Sequence, residues 1–167
     1  AVVERHADVA GETSGRNSAV VHAGFNNRPG SLMAKLCVEG SQNFEALCAE
    51  LDVPCRRTGK YLVAFDGRDE KILRGLIEKG QENGCRGLRM VKEAELRQVL
   101  PHVGGISAMY SPETAVFDPF LYTVALAENA HDNGASFFLS HRVTAIEKTA
   151  DGFRITAGRR LFHTRCL

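Results

Sequence analysis

The sequence lacks a run of apolar residues long enough to cross a membrane. A transmembrane helix needs about 20 consecutive apolar residues, and no apolar run of this 167-residue chain, in which charged residues make up 25% of the total, approaches that length. An excess of one charge is also missing, because 21 Lys and Arg residues stand against 20 Asp and Glu residues. A net charge of +1 gives no basis for nucleic acid as a partner. We therefore expect a globular protein with a sizeable core.

Paired cysteines and clustered histidines are absent as well. The number of cysteines is odd and none has C-x-x-C spacing: Cys37, Cys48, Cys55, Cys85 and Cys166. Scattered thiols fit a reducing compartment better than a disulfide framework. The six histidines are dispersed too, without the spacing of metal ligands. We therefore expect no metal site and a cytoplasmic location, either free or peripheral at the inner face of a membrane.

Apolar periodicity predicts a mixed α/β (α+β) protein. Helices are predicted at 31–51, 68–83, 92–99 and 118–133. Ser31 and Asp118 are the predicted N-caps of the first and last, with Pro119 at the first helical position of the last. The apolar face predicted for the first helix consists of Leu32, Leu36, Phe44, Leu47 and Leu51. Strands are predicted at 1–3, 58–65, 87–91, 105–110, 136–139, 143–149, 153–157 and 160–166.

The most informative segment follows the first apolar residues. The predicted strand Ala1-Val2-Val3 ends in Glu4, and a carboxylate at a strand end can bind the hydroxyl pair of a ribose. The loop TSGRNS, residues 13–18, combines small and hydrogen-bonding residues with one cation, which suits a phosphate. It leads to His22 in the apolar stretch VVHAG. These features indicate a dinucleotide site, although the sequence contains no G-x-G-x-x-G turn.

An acid followed by TSGRNSAVVHAGFNNRPGSL resembles the FAD-dependent oxidoreductases of the D-amino-acid-oxidase-like superfamily. The resemblance is strongest to the anaerobic-type glycerol-3-phosphate dehydrogenases and the L-2-hydroxyglutarate oxidases, and it extends through TGKYLVAF, SPETAVFDP, ALAENAHDNGA and RVTAIE. It implies FAD as cofactor and a partial Rossmann-like FAD-binding domain formed by residues 1–28 and 118–167. Residues 29–117 are then an inserted substrate-side domain with an antiparallel sheet. Because the family carries a G-x-G-x-x-G strand and helix before the position of Ala1, we expect an internal fragment of a longer enzyme that binds FAD weakly in isolation.

The same resemblance implies a set of cofactor-binding residues. Glu4 would bind the ribose, and Val143 would contact the adenine through its main chain. The loop residues would face the pyrophosphate and the polar edge of the flavin: Ser14, Gly15, Arg16, Asn17 and Ser18. A simpler interpretation remains open for each, since Glu4 can be a solvated strand end and the loop an ordinary polar surface.

His22 is the candidate catalytic residue. Oxidation of a secondary alcohol removes a hydroxyl proton, and an imidazole can accept that proton near neutral pH. The resemblance implies that His22 lies close to the flavin ring, while a packed core histidine is the alternative. Lys60 and Arg28 are candidate cations for an anionic substrate, and a solvated position is the alternative for both. Glu113 and Thr114 are interpreted first as turn residues.

The resemblance implies a dehydrogenase that oxidises a small anionic secondary alcohol by hydride transfer to flavin. Glycerol 3-phosphate is the first candidate substrate and L-2-hydroxyglutarate the second. The alternatives are a non-catalytic flavoprotein domain and a nicotinamide-dependent dehydrogenase, since NAD carries the same adenosine ribose as FAD. The expected partners are the anionic substrate and, in the full-length enzyme, an electron acceptor or a membrane surface. The sequence gives no indication of oligomeric state.

Overall fold

The computed structural model describes all 167 residues and divides them into two compact units. Unit 1 comprises Ala1–Ser18 and Pro119–Leu167, and unit 2 comprises Ala19–Asp118. The helices are α1 (Leu32–Glu50), α2 (Gly67–Glu82), α3 (Glu93–Val99) and α4 (Pro119–Asp132). The strands are β1 (Val2–Val3), β2 (Val20–Val21), β3 (Cys55–Arg56), β4 (Lys60–Ala64), β5 (Arg89–Lys92), β6 (Ser107–Ser111), β7 (Ala115–Phe117), β8 (Phe137–Phe138), β9 (Val143–Thr149), β10 (Gly152–Ala157) and β11 (Arg160–Thr164). The predicted mixed class is confirmed, and no helix combines the length and apolarity needed to span a bilayer.

Unit 1 contains a parallel strand pair and an antiparallel sheet. β1 pairs in parallel with β8, with Val2 opposite Phe137. β9, β10 and β11 form a three-stranded antiparallel sheet in which β10 is central. Gly152 makes the β9–β10 turn with φ +143°, and a β-carbon there would lie 2.2 Å from the Thr164 carbonyl oxygen. The turn therefore requires glycine.

Unit 2 contains two three-stranded antiparallel sheets, β2–β7–β3 and β4–β6–β5. Alternation along β6 places Met109 in one core cluster with Leu73 of α2, and Ala108 in another with Leu96 of α3. Because successive side chains of a strand point to opposite faces, the sheet β4–β6–β5 is covered on one face by α2 and on the other by α3. This burial on both faces gives unit 2 its core.

The apolar face predicted for α1 is wrong at its N-terminal end. Leu32 is 71% exposed and Leu36 is 56% exposed, and the buried residues are Ala34, Val38, Ser41 and Cys48. The physical reason is close packing, since a β-carbon on Gly24 would lie 2.8 Å from Val38 Cγ2. A helix that approaches a backbone this closely presents small side chains to it, which turns the leucines outward.

Candidate functional site

A cleft of about 790 Å³ lies in unit 1 beside the carboxyl end of the parallel strand β1. Ligands of open α/β sheets bind at the carboxyl ends of parallel strands, and small-molecule sites commonly occupy about 300–1,000 Å³. The lining comes from β1, the following loop, α4, β8, and the start of β9 with the two residues before it: Val2, Val3, Glu4, Arg5, His6, Val9, Ala10, Gly11, Glu12, Thr13, Ser14, Thr123, Leu126, Ala127, Phe137, His141, Arg142 and Val143. The cleft therefore has the position and size of a cofactor site.

Glu4 lies in this cleft directly after β1, and its backbone is held on both sides. Its N–H donates to the Phe138 carbonyl at 3.0 Å, and its carbonyl accepts the His141 N–H at 2.7 Å. The Glu4 side chain is half-buried, and its Oε1 accepts the His6 N–H at 2.7 Å. An ionised carboxylate has about four acceptor sites, so this oriented group can still accept hydrogen bonds from a diol.

Of the five predicted loop residues, Ser14 lines the cleft. Thr13–Gly15 forms one turn of 3-10 helix, in which the Gly15 N–H donates to the Glu12 carbonyl at 3.1 Å. A β-carbon on Gly15 would lie 2.4 Å from the Ala10 carbonyl oxygen, so glycine is required for the shape of the loop.

The other three loop residues, Arg16, Asn17 and Ser18, are exposed and lie outside the cleft lining. The Asn17 side-chain amide donates to the carbonyls of Thr13 and Ser14, at 3.2 and 3.1 Å. It thereby closes the turn on itself. Contacts from these residues to a cofactor stay predictions.

Val143, the first residue of β9, lines the same cleft as Glu4. The predicted contact of the Val143 main chain with the adenine requires that Val143 lie in this cleft. Sequence reasoning missed the charged cluster at the same site, in which Arg5 and His6 both contact the Glu12 carboxylate, His6 Nε2 at 3.0 Å from Oε1. Its only sequence signal is position, since Arg5 and His6 directly follow Glu4. The pairs are exposed and therefore contribute little stability.

His22 lies in unit 2, directly after β2. β2 pairs with β7, and the residues that follow His22 are buried in the core, Ala23 at 1% and Phe25 at 4% exposure. His22 itself is exposed, so the alternative of a packed core histidine is wrong. The imidazole is carried on a fixed backbone and remains accessible to a reactant.

The two predicted substrate cations also lie in unit 2. Lys60, the first residue of β4, is half-buried with its ammonium 6.0 Å from the centroid of the Phe25 ring. Arg28 is exposed, and its carbonyl accepts hydrogen bonds from the N–H and Oγ of Ser31 at 3.2 and 2.6 Å. Both cations are accessible for an anion, and their role in binding one stays a prediction.

The PET turn, whose Glu113 and Thr114 are interpreted first as turn residues, is buried. Glu113 is 8% exposed and Thr114 is 3% exposed. Glu113 Oε2 accepts the Arg86 N–H at 3.1 Å, and the hydroxyls of Ser111 and Thr114 lie 3.2 Å apart. These contacts hold the turn between β6 and β7, one within the turn and one to the residue after Cys85, and turn structure is the role that they support.

Comparison with known proteins agrees with this arrangement. A glycerol 3-phosphate dehydrogenase of Caloramator mitchellensis is 36% identical over 167 residues, which cover 99% of this chain and 35% of the relative. An L-2-hydroxyglutarate dehydrogenase of Indibacter alkaliphilus is 34% identical, covering 100% of this chain and 42% of the relative. The chain thus spans less than half the length of these relatives.

A solved structure, L-alpha-glycerophosphate oxidase from Mycoplasma pneumoniae with FAD bound, superposes with a TM-score of 0.85 at 26% identity. The match covers 95% of this chain and 43% of that one. The model of the DAO family, described as FAD dependent oxidoreductase, matches residues 1–167. FAD is therefore the cofactor, which removes the nicotinamide alternative, and the chain belongs to the DAO family of FAD-dependent oxidoreductases.

Proposed function

We propose that these residues belong to a dehydrogenase that oxidises the secondary alcohol of a small anionic substrate, with glycerol 3-phosphate as the first candidate. The observation that carries this proposal is the 36% identity to a glycerol 3-phosphate dehydrogenase along 167 residues. L-2-hydroxyglutarate is the second candidate, supported by 34% identity to its dehydrogenase. Since the chain covers less than half of either relative, the activity is proposed for the whole protein that contains these residues.

We propose that the cleft of unit 1 receives the adenosine part of FAD. The donor set fits this group, because the Glu4 carboxylate is already oriented by the His6 N–H and can accept two ribose hydroxyl hydrogen bonds. Ser14 and Val143 contribute a hydroxyl and a main chain to the same lining. FAD, when bound, supplies the acceptor for the hydride that leaves the alcohol carbon.

We propose that His22 is the base of this reaction. Oxidation converts the alcohol to a carbonyl. The hydrogen on the alcohol carbon leaves with the two electrons of its bond as a hydride, which FAD would accept, and the hydroxyl proton passes to a ring nitrogen of His22. The exposure of His22 on an anchored backbone supports this role. We assign Lys60 and Arg28 to attraction of the anionic group of the substrate, because both are cations that a solute can reach.

The test uses the whole purified protein with both substrates under anaerobic conditions, following the loss of flavin absorbance. We expect a higher kcat/KM with glycerol 3-phosphate, and a loss of about 100-fold or more in the rate of flavin reduction on His22→Gln. A full rate in His22→Gln removes this residue from the mechanism. If neither compound reduces the flavin, the proposed substrate class is refuted.

We further propose that reduced flavin is reoxidised by a separate electron acceptor. Reoxidation rates with molecular oxygen and with a soluble quinone distinguish an oxidase from a dehydrogenase that delivers electrons to a membrane pool. Preference for the quinone supports a peripheral membrane location of a cytoplasmic protein, and co-sedimentation with lipid vesicles tests that location directly.

A further inference from the structure

The carbonyl groups of the segment that follows His22 are held by side chains from a distant part of unit 2. The donors lie in the last turn of α2 and just beyond it. The hydrogen bonds are Cys85 Sγ to the Ala23 carbonyl at 3.0 Å, Asn83 Nδ2 to the Gly24 and Asn27 carbonyls at 3.0 and 2.9 Å, and Lys79 Nζ to the Asn26 carbonyl at 3.2 Å. We call residues 23–27 the anchored segment. Four of its five carbonyls therefore accept a hydrogen bond from a side chain.

The anchored segment is also fixed by packing. Gly24 has φ +93°, in the left-handed region that favours glycine. α1 lies against it, since a β-carbon at Gly24 would be 2.8 Å from Val38 Cγ2. Ala23 and Phe25 on either side are buried. His22 is joined to this rigid segment by a single peptide bond, so the direction of its side chain depends on where Ala23 is held.

The hydrogen bond closest to His22 comes from the Cys85 thiol. Cys85 is 7% exposed, and burial, reinforced by the negative charge of Glu113, raises the pKa of the thiol to about 11. The thiol therefore stays protonated at neutral pH and keeps the hydrogen that it donates to the Ala23 carbonyl. Glu113 is itself fixed by the Arg86 N–H, which ties the PET turn to the same arrangement.

We propose that Cys85 and Asn83 are positioning residues that set the direction of the His22 imidazole. This inference rests on the proposed role of His22 as the base. Proton transfer requires the base within hydrogen-bond reach of the reacting hydroxyl, and a displacement of about 1 Å can cost about 100-fold in rate. Loss of the Cys85 hydrogen bond releases the carbonyl one residue from His22, and loss of the Asn83 bonds releases the next bend of the chain.

The first experiment compares Cys85→Ala with Cys85→Ser in the whole protein loaded with FAD. We expect Cys85→Ala to lower the rate of flavin reduction, measured per bound flavin at saturating substrate, by about 10-fold to 100-fold with little change in KM. Cys85→Ser retains a donor and should stay within about threefold of the parent rate. Cys48→Ala is the matched control, because Cys48 is also buried but its thiol contacts Cys55, and it should leave the rate unchanged.

If Cys85 had a purely structural role, Cys85→Ala would lower the melting temperature and the yield of the protein without changing the rate per bound flavin. The imidazole NMR resonances of His22 give a readout apart from activity, and they should move in Cys85→Ala and return in Cys85→Ser. If Cys85→Ala does not fold, Asn83→Asp provides the second test. It replaces the donating amide with an oxygen that faces two carbonyls, and it should also lower the rate by about 10-fold or more.

The outcomes separate this inference from the proposed function. Full turnover in His22→Gln refutes the proposed role of His22 as the base, and the positioning role with it, whereas the substrate class is tested separately by flavin reduction in the parent protein. Lost turnover in His22→Gln, together with parent rates and unchanged His22 resonances in Cys85→Ala and Asn83→Asp, refutes the positioning role alone. Equal losses in Cys85→Ala and Cys48→Ala also refute it, because the effect would then follow from thiol burial rather than from the hydrogen bond.

Discussion

Replacement of Gly24 by alanine tests the close packing between α1 and the anchored segment. Two costs apply at this position. A residue with a β-carbon at φ +93° carries a backbone strain of about 1–2 kcal/mol. The new β-carbon also meets Val38 Cγ2 at 2.8 Å, and overpacking of this kind costs about 1–3 kcal/mol. We therefore expect Gly24→Ala to lower the free energy of unfolding by about 2–5 kcal/mol.

Two other glycines of unit 2 separate these terms. Gly30 has φ +73°, and a β-carbon added there would have no atom within 4 Å, so Gly30→Ala should show the strain alone, about 1–2 kcal/mol. Gly75 lies within α2 with open space around it, so Gly75→Ala should stabilise the protein by about 0.5–1 kcal/mol through helix propensity. The double variant Gly24→Ala with Val38→Ala should recover the packing term, which a double-mutant cycle measures.

Urea denaturation followed by circular dichroism provides the free energies, provided that the slope with urea stays constant across the series. Equal destabilisation by Gly24→Ala and Gly30→Ala would refute the reasoning, because it would mean that Val38 yields to the new β-carbon without cost. A Gly24→Ala variant as stable as the parent would refute the left-handed backbone at this position as well.

Two further predictions concern the cofactor cleft and the buried thiols. Glu4→Gln should weaken FAD binding to the whole protein about 10-fold, since about 1.5 kcal/mol is a typical contribution of a charged hydrogen bond. Flavin fluorescence titration measures this, with Glu50→Gln on the exposed end of α1 as control, and unchanged affinity would remove Glu4 from the site. Burial raises the thiol pKa from an ordinary 9.0 to about 11 for Cys85 and, with the contact to Cys55, to about 12 for Cys48. Because the folded state then retains protons that the unfolded state loses, stability should be constant below about pH 9 and should fall as the pH rises towards 11. Cys85→Ser should flatten that decline in urea denaturation across the pH range, and an unchanged slope would contradict the assignment.

The helices of this protein were predictable because their signals are local. Ser31 caps α1 by accepting the Ala34 N–H at 3.1 Å, and Pro119 begins α4, both as the sequence indicates. β9 has the predicted bounds 143–149. Each of these features depends on residues that lie close together in the sequence, so composition and spacing determine them. The resemblance to the family likewise follows from contiguous motifs, which survive without knowledge of the fold.

The sheet β2–β7–β3 could not be predicted from the sequence. Its strands have two, three and two residues, too few for a periodic signal, and they exist only through pairing between residues 20–21, 115–117 and 55–56. The buried face of α1 had the same origin, since it depends on the approach of Val38 to Gly24.

Sequence by itself determined the family, the cofactor and the candidate base of this protein. Tertiary structure alone decided that the carbonyls after His22 are held by Asn83 and Cys85, about 60 residues further along the chain. The physical reason is that a side-chain hydrogen bond to a backbone carbonyl leaves no pattern in the sequence. Any donor of suitable length can make it, and only the folded path of α2 brings these two donors to that segment.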